Sequence, residues 1–322
     1  MSAVEVQSLL RGNRRALAKA ITLVESELST HRDQADDLLR QVLPHTGRSL
    51  RVGISGTPGV GKSTFVQVFG ELVIEQGHRL AVLAIDPSSP TTGGSILGDK
   101  TRMDRLSRNP GAFIRPSPSG GQLGGVAQKT REATLLCEAA GYDVILIETV
   151  GIGQSESDVA AMVDFFLVLL QPYAGDELQG IKKGVLELAD ALVINKADGN
   201  GKHFAEQTQR HYQNALDLLS RTDSEQTRVL TCSARTAQGI ANVWQTAQAH
   251  AKAAKQSGSF ETKRSQQRAA WMRELLQQLI QRQLDAHPAY KELRHSLELN
   301  VAEGKTTPLA AAQRVANLIR VG

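Results

Sequence analysis

The chain has 322 residues, 41% hydrophobic and 22% charged, with 37 Lys and Arg against 33 Asp and Glu for a formal charge of +4. That length suits one large domain with appendages or two small domains, and the composition excludes a disordered chain and a small stapled scaffold. The slight basic balance reads as solvated helix faces rather than a field for an acidic partner.

From the N-terminus, MSAVEVQSLLRGNRR lacks the positive start and apolar stretch of a secretory signal, which points to the cytoplasm. Leu17, Ile21 and Val24, then Leu38, Leu39, Val42 and Leu43, recur at helical spacing and predict a helical preface over 1–46. Six short apolar runs follow within 47–256: LRVGI, LAVLAI, YDVILIE, DFFLVLL, ALVIN and RVLTC. Each suits a strand buried on both faces, and the helical or glycine-rich stretches between them predict an α/β core with a mostly parallel central sheet. The longest run, Phe165 to Leu170, is too short to span a bilayer, so no membrane association is expected.

After Gln238 the pattern is helical again, with a polar break over 257–267. Trp271, Leu275, Leu276, Leu279, Ile280 and Leu284 then share one helical face until His287 and Pro288 end it. Thr307 and Pro308 open a last helix as capping hydroxyl and first-turn proline, within a helical arm over 257–322. Cys137 and Cys232 lie far apart in apolar surroundings without a CxxC, as core thiols of a reducing compartment would.

The chemistry begins at ISGTPGVGKST, where Gly56, Thr57, Pro58, Gly59, Val60, Gly61, Lys62, Ser63 and Thr64 form a GxxxxGKS loop between a strand and a helix. Glycines let backbone N–H groups wrap phosphate oxygens at the helix N-terminus, Lys62 reaches the outer phosphates, and Ser63 offers its hydroxyl to magnesium.

A phosphate loop does not choose a base. Asn195, Lys196 and Asp198, in NKAD after the run ALVIN, do. A carboxylate at Asp198 accepts from both the ring N–H and the exocyclic amine of guanine, which adenine cannot match. Lys196 is expected along the base plane, Asn195 as a tie to the phosphate loop, and Ser233, Ala234 and Arg235 of TCSAR as the loop whose Ser233 and Ala234 amides face the guanine O6. The ligand expected is therefore GTP or GDP.

Asp86 and Glu148 end apolar runs and Asp99 lies in a glycine-rich loop, so these three carboxylates, with Ser63, are the expected Mg2+ ligands. Ile152 stands where a water-orienting glutamine often follows the glycine, which predicts slow hydrolysis alone. Asp176, Lys182 and Lys183 in PYAGDELQGIKKG are candidates to assist it.

Taken together, ETVGIGQSES, DPSSPTTGGSILGDKTRM, GDELQGIKKG and NKAD resemble the methylmalonyl-CoA mutase-associated G-protein chaperones, the MeaB/ArgK-like family. The resemblance implies a homodimeric GTPase, joined through the C-terminal helices, that attends an adenosylcobalamin-dependent acyl-CoA mutase, gating cofactor loading and protecting the enzyme. It also implies that Asp86, Asp99, Glu148 and Ser63 gather around magnesium, and that Lys182 supports hydrolysis when the mutase is bound. Three other readings stay open. A nickel-type metallochaperone GTPase would call for a Cys or His cluster, and a phosphotransferase for an acceptor pocket and a basic lid, for which Arg102 and Arg105 are the candidates. A nucleic-acid surface on Lys252, Lys255, Lys263, Arg264 and Arg268 lacks interleaved stacking aromatics, so no nucleic-acid partner is expected.

Overall fold

The computed structural model describes residues 3–86, 103–118, 123–149, 156–172, 183–219 and 227–318. Among them seven strands form one sheet: β1 (Leu50–Gly56), β2 (Leu80–Asp86), β3 (Ala112–Pro118), β4 (Val144–Thr149), β5 (Phe165–Leu170), β6 (Ala191–Ile194) and β7 (Arg228–Thr231). Their order is β3-β2-β4-β1-β5-β6-β7, and every pairing is parallel. All carboxyl ends therefore lie at one edge, and β1 sits between β4 and β5, where the strand order reverses.

The apolar runs are continuous because both faces of the sheet are covered. On one face Val52, Ile54, Val82, Leu146, Leu167 and Val193 meet Phe65, Phe69 and Val73 of the helix Lys62–Glu75 and Trp244 of the helix Ile240–Ser257. Trp244 stands edge-on to Phe69 at 5.7 Å and donates its indole N–H to Gln76 at 2.9 Å. The alternate residues Leu83, Ile145, Ile147, Phe166, Val168 and Ile194 point to the other face. There they join Leu136 and Cys137 of the helix Leu123–Ala139.

The preface comprises α1 (Ala3–Leu10), α2 (Arg14–Glu25) and α3 (Ser29–Val42). It shares this second core: Leu9, Leu17, Ile21 and Val42 are fully buried in the same cluster as the sheet residues. Burying each such side chain contributes roughly 1.5–3 kcal/mol, so the preface is held by the sheet's own layer rather than tethered beside it.

A strand absent from the sequence expectation is β3. None of the six apolar runs covers it, yet Ala112–Pro118 pair along β2, with Pro116 level with Ala84 and Pro118 with Asp86. Prolines cannot donate to a ladder, but β3 is an edge strand. Pro116 and Pro118 have the same parity, so both missing N–H groups fall on the open side.

The chain divides into two compact units, Met1–Lys263 and Arg264–Gly322. The helical break expected over 257–267 is one residue wide: Gly258, at φ 77°, caps one helix and the next runs unbroken over Ser259–Ala286. On that helix Met272, Leu276, Leu279 and Ile280 are exposed. His287 caps the helix Pro288–Ala302, and the Thr307 hydroxyl accepts the Ala310 amide at the start of Pro308–Ala316. No helix among the described residues is long and apolar enough to cross a membrane.

Candidate functional site: a phosphate loop and its base-reading loops

The loop between β1 and α4 (Lys62–Glu75) bends at Gly59 and Gly61, at φ 76° and 94°, where a side chain would be strained. Gly61 is also fixed by space, since a Cβ there would lie 2.9 Å from the Asn195 amide nitrogen. The Lys62 ammonium donates to the carbonyls of Gly56 at 2.6 Å and Thr57 at 3.3 Å, so it already lies across the loop it is expected to serve. Thr57 Oγ1 is buried with no hydrogen-bond partner among the described residues. An oxygen-rich ligand in the loop would supply one.

Strand register places the acidic groups. Glu148, buried near the end of β4, is level with Ile54 of β1 and Ala84 of β2. Beside it the Thr149 hydroxyl donates to Ser55 at 3.0 Å, locking the ends of β4 and β1 together. Ser63 lies in the first turn of α4. Asp86 ends β2 at the same edge, though its side chain lies outside the described residues, as do Asp99, Ile152, Asp176 and Lys182. Among the described residues no group of three or more His, Cys, Asp or Glu forms a ready metal cluster. The described donors nonetheless fit magnesium, since a hydroxyl and a carboxylate are the hard oxygens it takes alongside phosphate and water.

The loops NKAD and TCSAR meet the phosphate loop through Asn195. Its side chain, almost fully buried, donates to the Val60 carbonyl at 2.8 Å and accepts from the Ala234 amide at 3.0 Å. The Cys232 thiol completes the set at 3.6 Å. Burial pushes that thiol up to about 12, which keeps it a donor. Ser233 Oγ donates to one oxygen of Asp198 at 2.8 Å and so sets the plane of the carboxylate.

The Ser233 amide donates to the Gln238 carbonyl at 2.9 Å and the Ala234 amide to the Asn195 side chain at 3.0 Å, so both amides expected at the guanine O6 have partners within the protein. The loop is pinned from both sides, by Asn195 and by the turn at Gly239, where φ is 75° and a Cβ would collide with the Thr231 carbonyl. Among the described residues the Arg235 amide has no backbone acceptor.

The family described as methylmalonyl-CoA mutase-associated GTPase MeaB matches residues 17–289. A protein of Caulobacter vibrioides is 53% identical over 308 residues, covering 95% of this chain and 94% of its own. This chain belongs to the MeaB family. It is therefore a P-loop GTPase that binds GTP and GDP and hydrolyses GTP. A mouse protein named methylmalonic aciduria type A homolog, mitochondrial, is 48% identical over 315 residues, covering 94% of this chain and 76% of that one. A crystal structure titled as a LAO/AO transport system kinase superposes with a TM-score of 0.80 at 39% identity, covering 99% of this chain and 97% of that one.

In this MeaB-family site two contributors escaped the sequence reading. Glu156, buried at the start of the helix Glu156–Ala160, acts electrostatically on Lys62 together with Glu148. Gln171, just past β5, contacts both the phosphate loop and Lys196. Glu156 is the last carboxylate of the quoted string ETVGIGQSES and was within reach, whereas nothing local marks Gln171.

Burial lowers the Lys62 pKa below its ordinary value, with Glu148 and Glu156 opposing the shift. Only the protonated amine grips phosphate, so GDP affinity is expected to start falling below the ordinary lysine pKa of about 10.4. Lys62→Arg, always charged, should flatten that decline in a titration with a fluorescent GDP analogue. Between the lowered and ordinary pKa the unfolded chain holds more protons than the folded one. This group therefore makes stability rise with pH across that window.

Proposed function

We propose that this GTPase is the chaperone of an adenosylcobalamin-dependent acyl-CoA mutase, of the methylmalonyl-CoA type, gating cofactor loading and protecting the enzyme in the cytoplasm. The observation that carries this reading is the match to a family named for mutase association over 17–289, which includes most of the preface as well as the sheet. The relative named for methylmalonic aciduria points the same way.

In this reading the backbone N–H groups of the Gly56 to Thr64 loop, all but Pro58 carrying one, hold the phosphates, Asp198 reads the guanine edge, and Lys196 lies along the ring. Ser63, Asp86, Asp99 and Glu148 hold Mg2+, which neutralises charge on the phosphates when bound. With Ile152 in place of a polar group, the attacking water is weakly oriented and basal turnover is slow. Asp176 and Lys182 complete the site when the mutase is engaged. The γ-phosphate holds the glycine-rich loops in one arrangement and its loss releases them, so nucleotide state becomes a surface the mutase reads. A second copy of the chain covers the exposed Met272, Leu276, Leu279 and Ile280 face.

The test is GTP hydrolysis by the purified protein with and without a cobalamin-dependent acyl-CoA mutase. Acceleration of about tenfold or more, on the order of 1.4 kcal/mol of barrier, is expected, and Lys182→Ala should abolish it. The same rate with every such mutase would sink the proposal. The transport-kinase title of the superposing structure favours a second reading, phosphoryl transfer. Labelled γ-phosphate appearing on an acceptor, instead of as free phosphate, would select it.

A further inference from the structure

Gln171 lies one residue beyond β5, at the sheet edge that carries the phosphate loop. Its side-chain oxygen accepts from the Lys196 ammonium at 3.2 Å, and its amide nitrogen approaches the Pro58 carbonyl at 3.4 Å. The same ammonium donates to the Gly59 carbonyl at 2.7 Å. One glutamine thus joins β5, the phosphate loop and the base-reading loop.

Lys196 needs such a partner. It is one of two non-glycine residues with positive φ among the described residues, at 62°, a backbone state that persists only where neighbours enforce it. From below, Gly201 packs so closely that a Cβ would lie 2.6 Å from the Lys196 carbonyl. From above, the exposed end of the side chain is held by Gly59 and Gln171. A lysine stem has high rotamer freedom, and holding it in its bound position before a ligand arrives acts mainly on how slowly the ligand leaves.

We propose that Gln171 is a positioning residue for nucleotide retention, holding the Lys196 stem against the phosphate loop as one wall of the purine slot. It touches neither base nor phosphate and acts through Lys196 and the Pro58 carbonyl. The inference rests on reading NKAD as the guanine site. The wall meets the face of any purine, while Asp198 reads its edge, so the two residues leave different signatures.

The experiment is stopped-flow release of fluorescent GDP and IDP analogues from the full chain. Gln171→Leu is expected to speed release of both by the same factor, roughly 5- to 30-fold, with association little changed. Gln171→Glu keeps an acceptor for Lys196 and should stay within about twofold of the parent. Leucine release within about twofold of the parent, or leucine and glutamate equally fast with matching losses in thermal melts, overturns the proposal. Asp198→Asn is run alongside. If it fails to gain a xanthine nucleotide, the guanine-site reading itself falls; if it gains one while Gln171→Leu is silent, only the role of Gln171 does.

Discussion

Replacing Asp198 by asparagine is expected to lower GDP affinity by about 10^3- to 10^5-fold and to create binding of XDP. The carboxylate presents two acceptors to the two donors on the guanine edge, and its plane is preset by the bond from Ser233, itself fully buried. Asparagine can keep that bond and one guanine donor through its oxygen, but its NH2 then faces the exocyclic amine and leaves that donor unpaired. Xanthine carries an oxygen where guanine carries the amine, which restores the match. Calorimetric titration with GDP, XDP and ADP measures the switch. Comparable heats from GDP and ADP on the parent protein, or an unaltered preference in the variant, would remove Asp198 from the base site.

The second large effect is expected at Gly56, the last residue of β1. A Cβ there would lie 2.6 Å from the Leu169 carbonyl oxygen and 2.9 Å from the Leu169 Cβ, and Leu169 is its partner in the β1–β5 register. Because the obstacle is main chain, no rotamer change relieves it: either the ladder opens or the phosphate loop moves. Gly56→Ala should therefore cost about 2–4 kcal/mol in urea unfolding and weaken GDP binding by more than about tenfold. Gly77→Ala is the control. Gly77 also has positive φ, at 90°, but nothing lies within 4 Å of its Cβ position, so it should lose only about 1–2 kcal/mol and bind GDP normally. Equal losses in both variants would mean that backbone strain alone, without the Leu169 contact, sets the cost.

The two cores also explain why so much of the α/β layout was legible. Strands β1, β2, β4, β5, β6 and β7 are apolar on both faces, so each announces itself as a continuous run. The edge strand β3 carries Arg115, Pro116 and Pro118, and only its pairing with β2 reveals it. The preface was legible as helices but not as part of the sheet's own packing, because periodicity says which face is buried and not against what. The polar stretch after Ser257 suggested a wide break, yet a solvated helix face has the same composition.

GxxxxGKS, NKAD and TCSAR could be read directly because their geometry is local: a few residues after a strand carry the glycines, the lysine and the carboxylate in fixed covalent order. Partners of those groups belong to another scale. Asn195 meets Val60 across 135 positions, and Gln171 meets Pro58 across 113. Which amides of TCSAR stay free depends on Asn195 and Gly239 closing around that loop. Covalent spacing writes the motif, whereas the close approach of parallel strand ends determines which of its donors and acceptors remain for a nucleotide.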